Sequence, residues 1–91
     1  MLTLIHHTDP GHGWLQVPAV ILRELNTIDK VSGYSYYCER TDTFFLEEDE
    51  DVSLIIEPLR AAGEDIFIEE LYQDPSFVRS LPRWQPKEET A

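Results

Sequence analysis

The chain has 91 residues with 18 acidic side chains against seven Lys and Arg, a formal net charge of −11, and this length predicts a single domain over residues 1–85 with a flexible polar tail over residues 86–91. Two Trp, four Tyr and four Phe distinguish it from acidic disordered chains, which contain few aromatic residues. The lone Cys38 excludes an internal disulfide, and the absence of long apolar runs predicts a soluble, cytoplasmic protein without a membrane span.

The first third of the chain predicts two strands and a helix. Residues 2–7 have strand character and are followed by a turn rich in Gly and Pro, after which residues 14–17 form a second strand. Pro18 suits the first turn of a helix, since its missing N–H would have no intrahelical partner there. We therefore expect a helix over residues 18–26.

The rest of the chain predicts a hairpin, a second helix and a fifth strand. Residues 34–39 and 43–47 are rich in aromatic residues and are separated by a short polar turn. Apolar residues at helical spacing predict a helix over residues 52–62, which a following glycine closes. Pro58 within it predicts a kink or a late start. Residues 65–71 then form the fifth strand.

Together these elements predict an α+β fold with the order β-β-α-β-β-α-β. The sheet is expected to be mainly antiparallel, with about five strands and with both helices packed on one face. An irregular segment over residues 74–84 is expected to pack Phe77, Leu81 or Trp84 against the body of the protein. The order of the strands within the sheet is left open.

The negative charge is concentrated in one part of the sequence. Twelve of the 18 acidic residues lie between Asp42 and Asp74, against the single cation Arg60. The densest run, residues 47–51, lies where the hairpin leads into the second helix. One or two of these carboxylates would stabilise a helix amino terminus, whereas the others repel one another and favour a binding surface. The spacing of an EF-hand calcium loop is absent.

A second acidic group follows at the end of the fifth strand. If that strand pairs with the hairpin, its carboxylates lie within a Debye length, about 8 Å, of the first group; alternatively, they protect an edge strand from pairing. The pleat turns Tyr37 away from Tyr34 and Tyr36, so an exposed tyrosine is expected near the acids, with packing within the sheet as the alternative. The predicted partner-binding residues are Glu47, Glu48, Asp49, Glu50, Asp51, Glu69, Glu70, Asp74 and Tyr37.

Three histidines are the principal concentration of metal-type ligands. His6 and His7 are adjacent on a strand and point to opposite faces, so only one of them can join His12 across the turn. Two ligands do not make a zinc site, and a third would have to come from a distant carboxylate. We therefore predict no metal, no cofactor and no catalytic residues. A small metal-dependent enzyme that uses His6, His12 and nearby carboxylates remains the alternative.

Three short motifs occur along the chain: Gly11-His12-Gly13-Trp14, Ser35-Tyr36-Tyr37 and Leu46-Glu47-Glu48-Asp49. They resemble a pattern in small uncharacterised acidic accessory proteins of phages and plasmids, and the resemblance extends from His12 to about Trp84. Cys38-Glu39-Arg40 differs from the glycine-containing turn that this pattern would have. The resemblance implies a protein of a mobile element that binds host machinery, as inhibitors of nucleic-acid-processing or CRISPR complexes do.

Charge and resemblance together predict a small acidic interaction protein that is not an enzyme. Its expected partner is a basic protein surface, on a nucleic-acid-binding protein or complex that it inhibits in an anti-CRISPR-like manner or as a nucleic-acid mimic. Carboxylates in an array can compete for a groove of Lys and Arg that binds phosphates. Direct binding to nucleic acid or to a membrane is not expected. The oligomeric state, monomer or dimer, is open, and a homo-oligomeric structural subunit that associates through the hairpin tyrosines is a further alternative.

Overall fold

The computed structural model describes residues 1–86, so residues 87–91 of the predicted tail lie outside the described part of the chain. Five strands form one sheet in the spatial order β3-β4-β2-β1-β5, with two α-helices between strands in the sequence. The elements are β1 (Leu2–Thr8), β2 (Gly13–Pro18), α1 (Ala19–Glu24), β3 (Tyr36–Cys38), β4 (Thr43–Glu47), α2 (Ser53–Ala61) and β5 (Ile66–Tyr72).

The predicted α+β class is confirmed, but the prediction of a mainly antiparallel sheet is wrong because the sheet is mixed. β1 pairs antiparallel with β2 and parallel with β5. The parallel pair arises because α2 carries the chain back to the end of the sheet where β1 begins, so that β5 runs in the same direction as β1. Two 3-10 helices that the sequence analysis did not predict, Ile28–Lys30 and Phe77–Ser80, also make the full element order differ from the predicted one.

The larger core lies between one face of the sheet and both α-helices. Along β2 and β4, alternate residues point to this face, and Val17 lies directly opposite Phe44 in the sheet register. The helices contribute Leu22 from α1 and Ile55 from α2, and all four side chains are fully buried. The buried members of this core are Leu4, Leu15, Val17, Ala19, Leu22, Val31, Phe44, Leu46, Ile55 and Ile56.

A smaller core covers the opposite face of the sheet. Trp14 of β2 and Phe45 of β4 pack there with Tyr36 and with Val78, which comes from the 3-10 helix near the carboxyl end of the described chain. The chain then follows the outer side of β3, where Trp84 N–H donates to Ser35 C=O at 2.8 Å. The predicted packing of the C-terminal segment on the body is confirmed, and this segment also covers the β3 edge of the sheet.

Three residues with positive φ mark the chain reversals. The hairpin turn places Asp42 at φ 51°, a conformation that Asp tolerates better than most residues, so the hairpin forms without a glycine. Asn26 has φ 57° just after α1, and Gly63 has φ 81° after α2, where its N–H donates to Arg60 C=O at 3.0 Å. The predicted role of this glycine at the helix end is thus confirmed. Pro58 lies inside α2, and the helix continues past it to Ala61.

Candidate protein-interaction surface

Three chain segments meet at one end of the sheet. Glu47 at the end of β4 lies opposite Trp14 of β2, Trp14 lies opposite His7 of β1, and His7 lies beside Leu71 near the end of β5. The turn between β4 and α2, the turn between β1 and β2, and the carboxyl end of β5 therefore share this end.

The two acidic groups are farther apart than they would be if β5 paired directly with the hairpin. β2 and β1 lie between β4 and β5. At about 4.8 Å per strand, this separates β4 from β5 by roughly 14 Å, which exceeds the Debye length of about 8 Å. His6 lies next to a member of each group, because its Nε2 lies 3.4 Å from Glu48 Oε2 and its Cα is in register with that of Glu70.

Six of the eight predicted acidic residues are exposed at this end of the sheet. We call them the acidic rim: Glu48, Asp49, Glu50, Glu69, Glu70 and Asp74. Among residues 1–86, the arginines that form ion pairs use other carboxylates, since Arg23 binds Asp42 and Arg79 binds Asp9. Within this range, the only rim carboxylate that contacts a basic side chain is Glu48, whose Oε2 lies 3.4 Å from His6 Nε2. The negative charge of the rim is thus open to solvent.

The remaining two acidic residues are buried and bind the chain itself. Asp51 is 2% exposed, and its Oδ2 accepts hydrogen bonds from the hydroxyl of Ser32 at 2.8 Å and from that of Ser35. Glu47 Oε2 accepts the N–H groups of Asp49 at 2.9 Å and Glu50 at 2.8 Å. These two side chains hold the turn in shape, and we exclude them from the surface that a partner would contact.

Tyr37, the predicted partner-binding tyrosine, is half-buried within the protein. Its ring packs against Phe44 and Trp84, and its hydroxyl donates to Asp42 Oδ1 at 2.6 Å. This hydrogen bond, with burial of the ring, raises the pKa of Tyr37. The pKa of Asp42 is lowered, first by the guanidinium of Arg23 and then by the Tyr37 hydroxyl. Tyr37 therefore stabilises the hairpin and does not belong to the exposed surface.

A cleft of about 210 Å³ lies next to the rim on the face of the smaller core. Arg79 lies 5.1 Å above the ring of Trp14, and Arg83 lies 5.4 Å above that of Tyr36. Each of the two rings therefore already has an arginine of the chain itself over one of its faces. The exposed tyrosine of the hairpin region is Tyr34, which lines the cleft. The lining residues are His12, Trp14, Tyr34, Tyr36, Glu47, Asp49, Glu50, Arg79 and Arg83.

The structure does not bring His6 and His12 together. His6 is in register with Leu15 and so shares its face of the sheet, whereas His12 packs against Trp14 on the other face. Each contacts a different glutamate, since His12 Nδ1 lies 3.7 Å from Glu47 Oε1. The carboxylates of Glu47, Glu48 and Asp49 each bring one oxygen within 4.8 Å of the others, but Glu47 already binds two backbone N–H groups.

The β5 strand exposes apolar side chains on both faces, which the sequence did not predict. It lies at the edge of the sheet, and six of its seven residues are exposed. Phe67 and Leu71 are on one face and Ile68 and Tyr72 on the other. A run that is apolar on both faces usually indicates a buried strand. The sequence signal for an edge is the pair of glutamates at its centre, since charge there discourages edge-to-edge pairing.

Comparison with known proteins adds no relative from which a function could be transferred. No protein-family model matches the chain, and no curated protein and no solved structure matches it. Among residues 1–86, neither α-helix combines the length and the apolar content needed to cross a membrane. We therefore infer function from the chemistry of the acidic rim and of the β5 edge.

Proposed function

We propose that this chain is an interaction protein whose acidic rim binds a basic surface of a nucleic-acid-binding protein or complex and inhibits it. The proposal assigns no catalysis to the chain. It places the protein in the cytoplasm, as an accessory protein of a mobile element, in keeping with the resemblance of its short motifs to phage and plasmid proteins.

The observation that carries the proposal is the exposure of six carboxylates, in two groups at one end of the sheet, none of which forms an ion pair with Lys or Arg in the described part of the chain. Like charges held close together repel one another and give the folded state no benefit, so they favour a cationic partner. The two buried acids, Glu47 and Asp51, have structural roles, which is the contrast expected if the rim serves a different purpose.

The dimensions of the rim suit competition with a nucleic acid. The rim extends over roughly 14 Å from β4 to β5. A duplex carries one negative charge per about 1.7 Å of its axis, so about eight phosphate charges lie along the same length. Six carboxylates therefore offer a Lys- and Arg-rich groove a comparable charge density. Binding of this kind is expected to weaken as salt increases.

Two variants with the same change in net charge test this proposal. The rim variant carries Glu48→Gln, Asp49→Asn, Glu50→Gln, Glu69→Gln, Glu70→Gln and Asp74→Asn. The control variant neutralises six exposed carboxylates elsewhere on the surface by Glu24→Gln, Asp29→Asn, Glu39→Gln, Glu57→Gln, Glu64→Gln and Asp65→Asn. Each protein is immobilised, exposed to host lysate at low and high salt, and its bound proteins are quantified by mass spectrometry.

We expect the wild-type and control proteins to capture basic nucleic-acid-binding proteins at low salt, and the rim variant to lose them. A captured protein is then purified and bound to a fluorescent DNA or RNA duplex, which the wild-type chain should displace and the rim variant should not. Equal capture by the rim and control variants would refute the proposal, because net charge and not the rim would then explain binding.

A further inference from the structure

We propose that β5 is a docking edge that pairs with an extended segment of the partner and so adds a sixth strand to the sheet. The inference rests on the proposed function in one respect, namely that the partner is basic. It goes further by naming the backbone groups, the side-chain pattern and the conformation of the segment that would bind.

The backbone of β5 has one side that is not used within the sheet. Leu2 N–H donates to Asp65 C=O at 2.8 Å, and Gln73 N–H donates to Thr8 C=O at 2.9 Å, so these bonds define both ends of the ladder between β1 and β5. In a parallel pair, alternate residues direct their N–H and C=O groups toward the neighbouring strand. The residues whose groups point away from β1 are therefore Ile66, Ile68, Glu70 and Tyr72.

The two edges of the sheet differ in whether another segment of the chain covers them. At the β3 edge, Tyr37 N–H donates to Pro82 C=O at 3.0 Å, and Tyr36 and Arg83 form an antiparallel bridge. The C-terminal segment thus covers that edge. In the described part of the chain, no segment pairs with the outer side of β5, and its seven residues are long enough to accept a strand of ordinary length.

The exposed side chains of β5 define what an added strand must contain. Phe67 and Leu71 are 52% and 51% exposed on one face, and Ile68 and Tyr72 are 42% and 63% exposed on the other. Between them lie two glutamates, one on each face. Because cross-strand neighbours share a face, the complementary segment has two apolar residues, two Lys or Arg, and two apolar residues. This pattern is the same in either chain direction.

Charge decides between a cationic segment and a second copy of the chain. In the antiparallel pairing that overlaps the whole of β5, Glu69 would lie directly opposite Glu69 of the second copy, and like charges in that position are destabilising. Each copy also carries a net charge of −11. Glutamates at an edge discourage pairing with an identical edge, but they attract a segment with lysines at the same positions.

Two synthetic peptides with blocked ends and identical composition test the inference. The first, Thr-Val-Val-Lys-Lys-Val-Val-Thr, places its lysines opposite the glutamates of β5. The second, Thr-Lys-Val-Val-Val-Val-Lys-Thr, has the same charge with the lysines apart. Binding is measured by titration calorimetry, and backbone pairing by amide hydrogen exchange in NMR spectra of the full chain.

We expect the first peptide to bind at least about threefold more tightly than the second. It should also slow amide exchange at Ile66, Ile68, Glu70 and Tyr72, the residues whose N–H groups point outward. In the double variant Glu69→Lys and Glu70→Lys, the preference should change to a peptide with Glu-Glu at its centre. Both variant positions are exposed, so the fold is expected to tolerate them.

Equal binding of the two lysine peptides, or binding that leaves the outward amides unprotected, would overturn the inference. Protection of those amides without peptide, together with a dimer in light scattering, would also overturn it by identifying a second copy as the occupant. Either result can occur while the rim variant still loses its captured proteins, so a failure of the docking edge is distinguishable from a failure of the proposed function.

Discussion

Arg79 forms a two-point ion pair with Asp9, which precedes it by 70 residues in the sequence: Nη2 donates to Oδ1 at 2.8 Å, and Nε donates to Oδ2. Asp9 also accepts the N–H groups of Gly11 at 2.9 Å, His12 at 3.1 Å and Ser76 at 3.2 Å. One carboxylate therefore closes the turn between β1 and β2 and attaches the C-terminal segment to it.

These contacts predict a specific loss of stability in acid. The hydrogen bonds from Arg79, followed by those from backbone N–H groups, hold the pKa of Asp9 well below its usual value. Because the folded state then binds fewer protons than the unfolded state, the stabilisation is present above about pH 4 and is lost as pH falls below it. We expect the urea midpoint of the wild type to fall through this range and that of Asp9→Asn to fall less, from a lower starting value.

The matched control for this titration is Asp29→Asn, since Asp29 is exposed and has no hydrogen bond or ion pair of its side chain among residues 1–86. Its midpoint should follow the wild type at every pH. Unfolding curves of Asp9→Asn that parallel the wild type throughout the acid range would show that the ion pair does not contribute to the pH dependence.

Asp51 and Asp49 are two residues apart and should respond very differently to substitution. Asp51→Ala leaves the buried hydroxyl of Ser35 and the N–H of Ser32 without their acceptor, so we expect a loss of roughly 2 to 4 kcal/mol in the free energy of unfolding. Asp49→Ala should change it by less than about 0.5 kcal/mol, because that side chain is exposed. Denaturant unfolding measures both. Similar losses in the two variants would contradict the structural role assigned to Asp51.

Two phenylalanines distinguish the core of the sheet from its exposed edge. Phe44 of β4 is fully buried in the larger core, so Phe44→Ala should cost about 3 to 5 kcal/mol. Phe67 is half-exposed on β5, and Phe67→Ala should cost about 1 kcal/mol or less. A large loss at Phe67, measured by the same denaturant unfolding, would mean that β5 contributes to the core and is not available to a partner.

The raised pKa of Tyr37 predicts a loss of stability as pH rises, opposite to the loss in acid predicted for Asp9. Because the pKa of Tyr37 is raised above its ordinary value, the folded state favours the neutral phenol, and this stabilisation is lost as pH rises above about 10. The difference in phenolate absorbance between wild type and Tyr37→Phe isolates this group in an alkaline titration. We expect a midpoint above the ordinary value, which Asp42→Asn should move back toward it. An ordinary midpoint in the wild type would disprove the hydrogen bond.

The local elements were largely predictable because neighbouring residues decide them. The aromatic and β-branched residues within 43–47 indicated a strand, and Gly63 indicated a helix end through the backbone conformation that glycine readily adopts. The pairing of β5 was not predictable, since Ile66–Tyr72 could pair with any strand that has a free edge. Its placement next to β1 depends on how α2 crosses the sheet, which is a contact between distant parts of the chain.

The sequence by itself determined the two α-helices, the five strands and the accumulation of carboxylates between Asp42 and Asp74. Only the tertiary structure decided which carboxylates face water. Glu47 and Glu48 are adjacent in the sequence, yet Glu47 is buried and Glu48 is exposed. The physical reason is that a buried charge is tolerated where backbone N–H groups converge on it, as they do on Glu47, and that convergence exists only after the turn has folded.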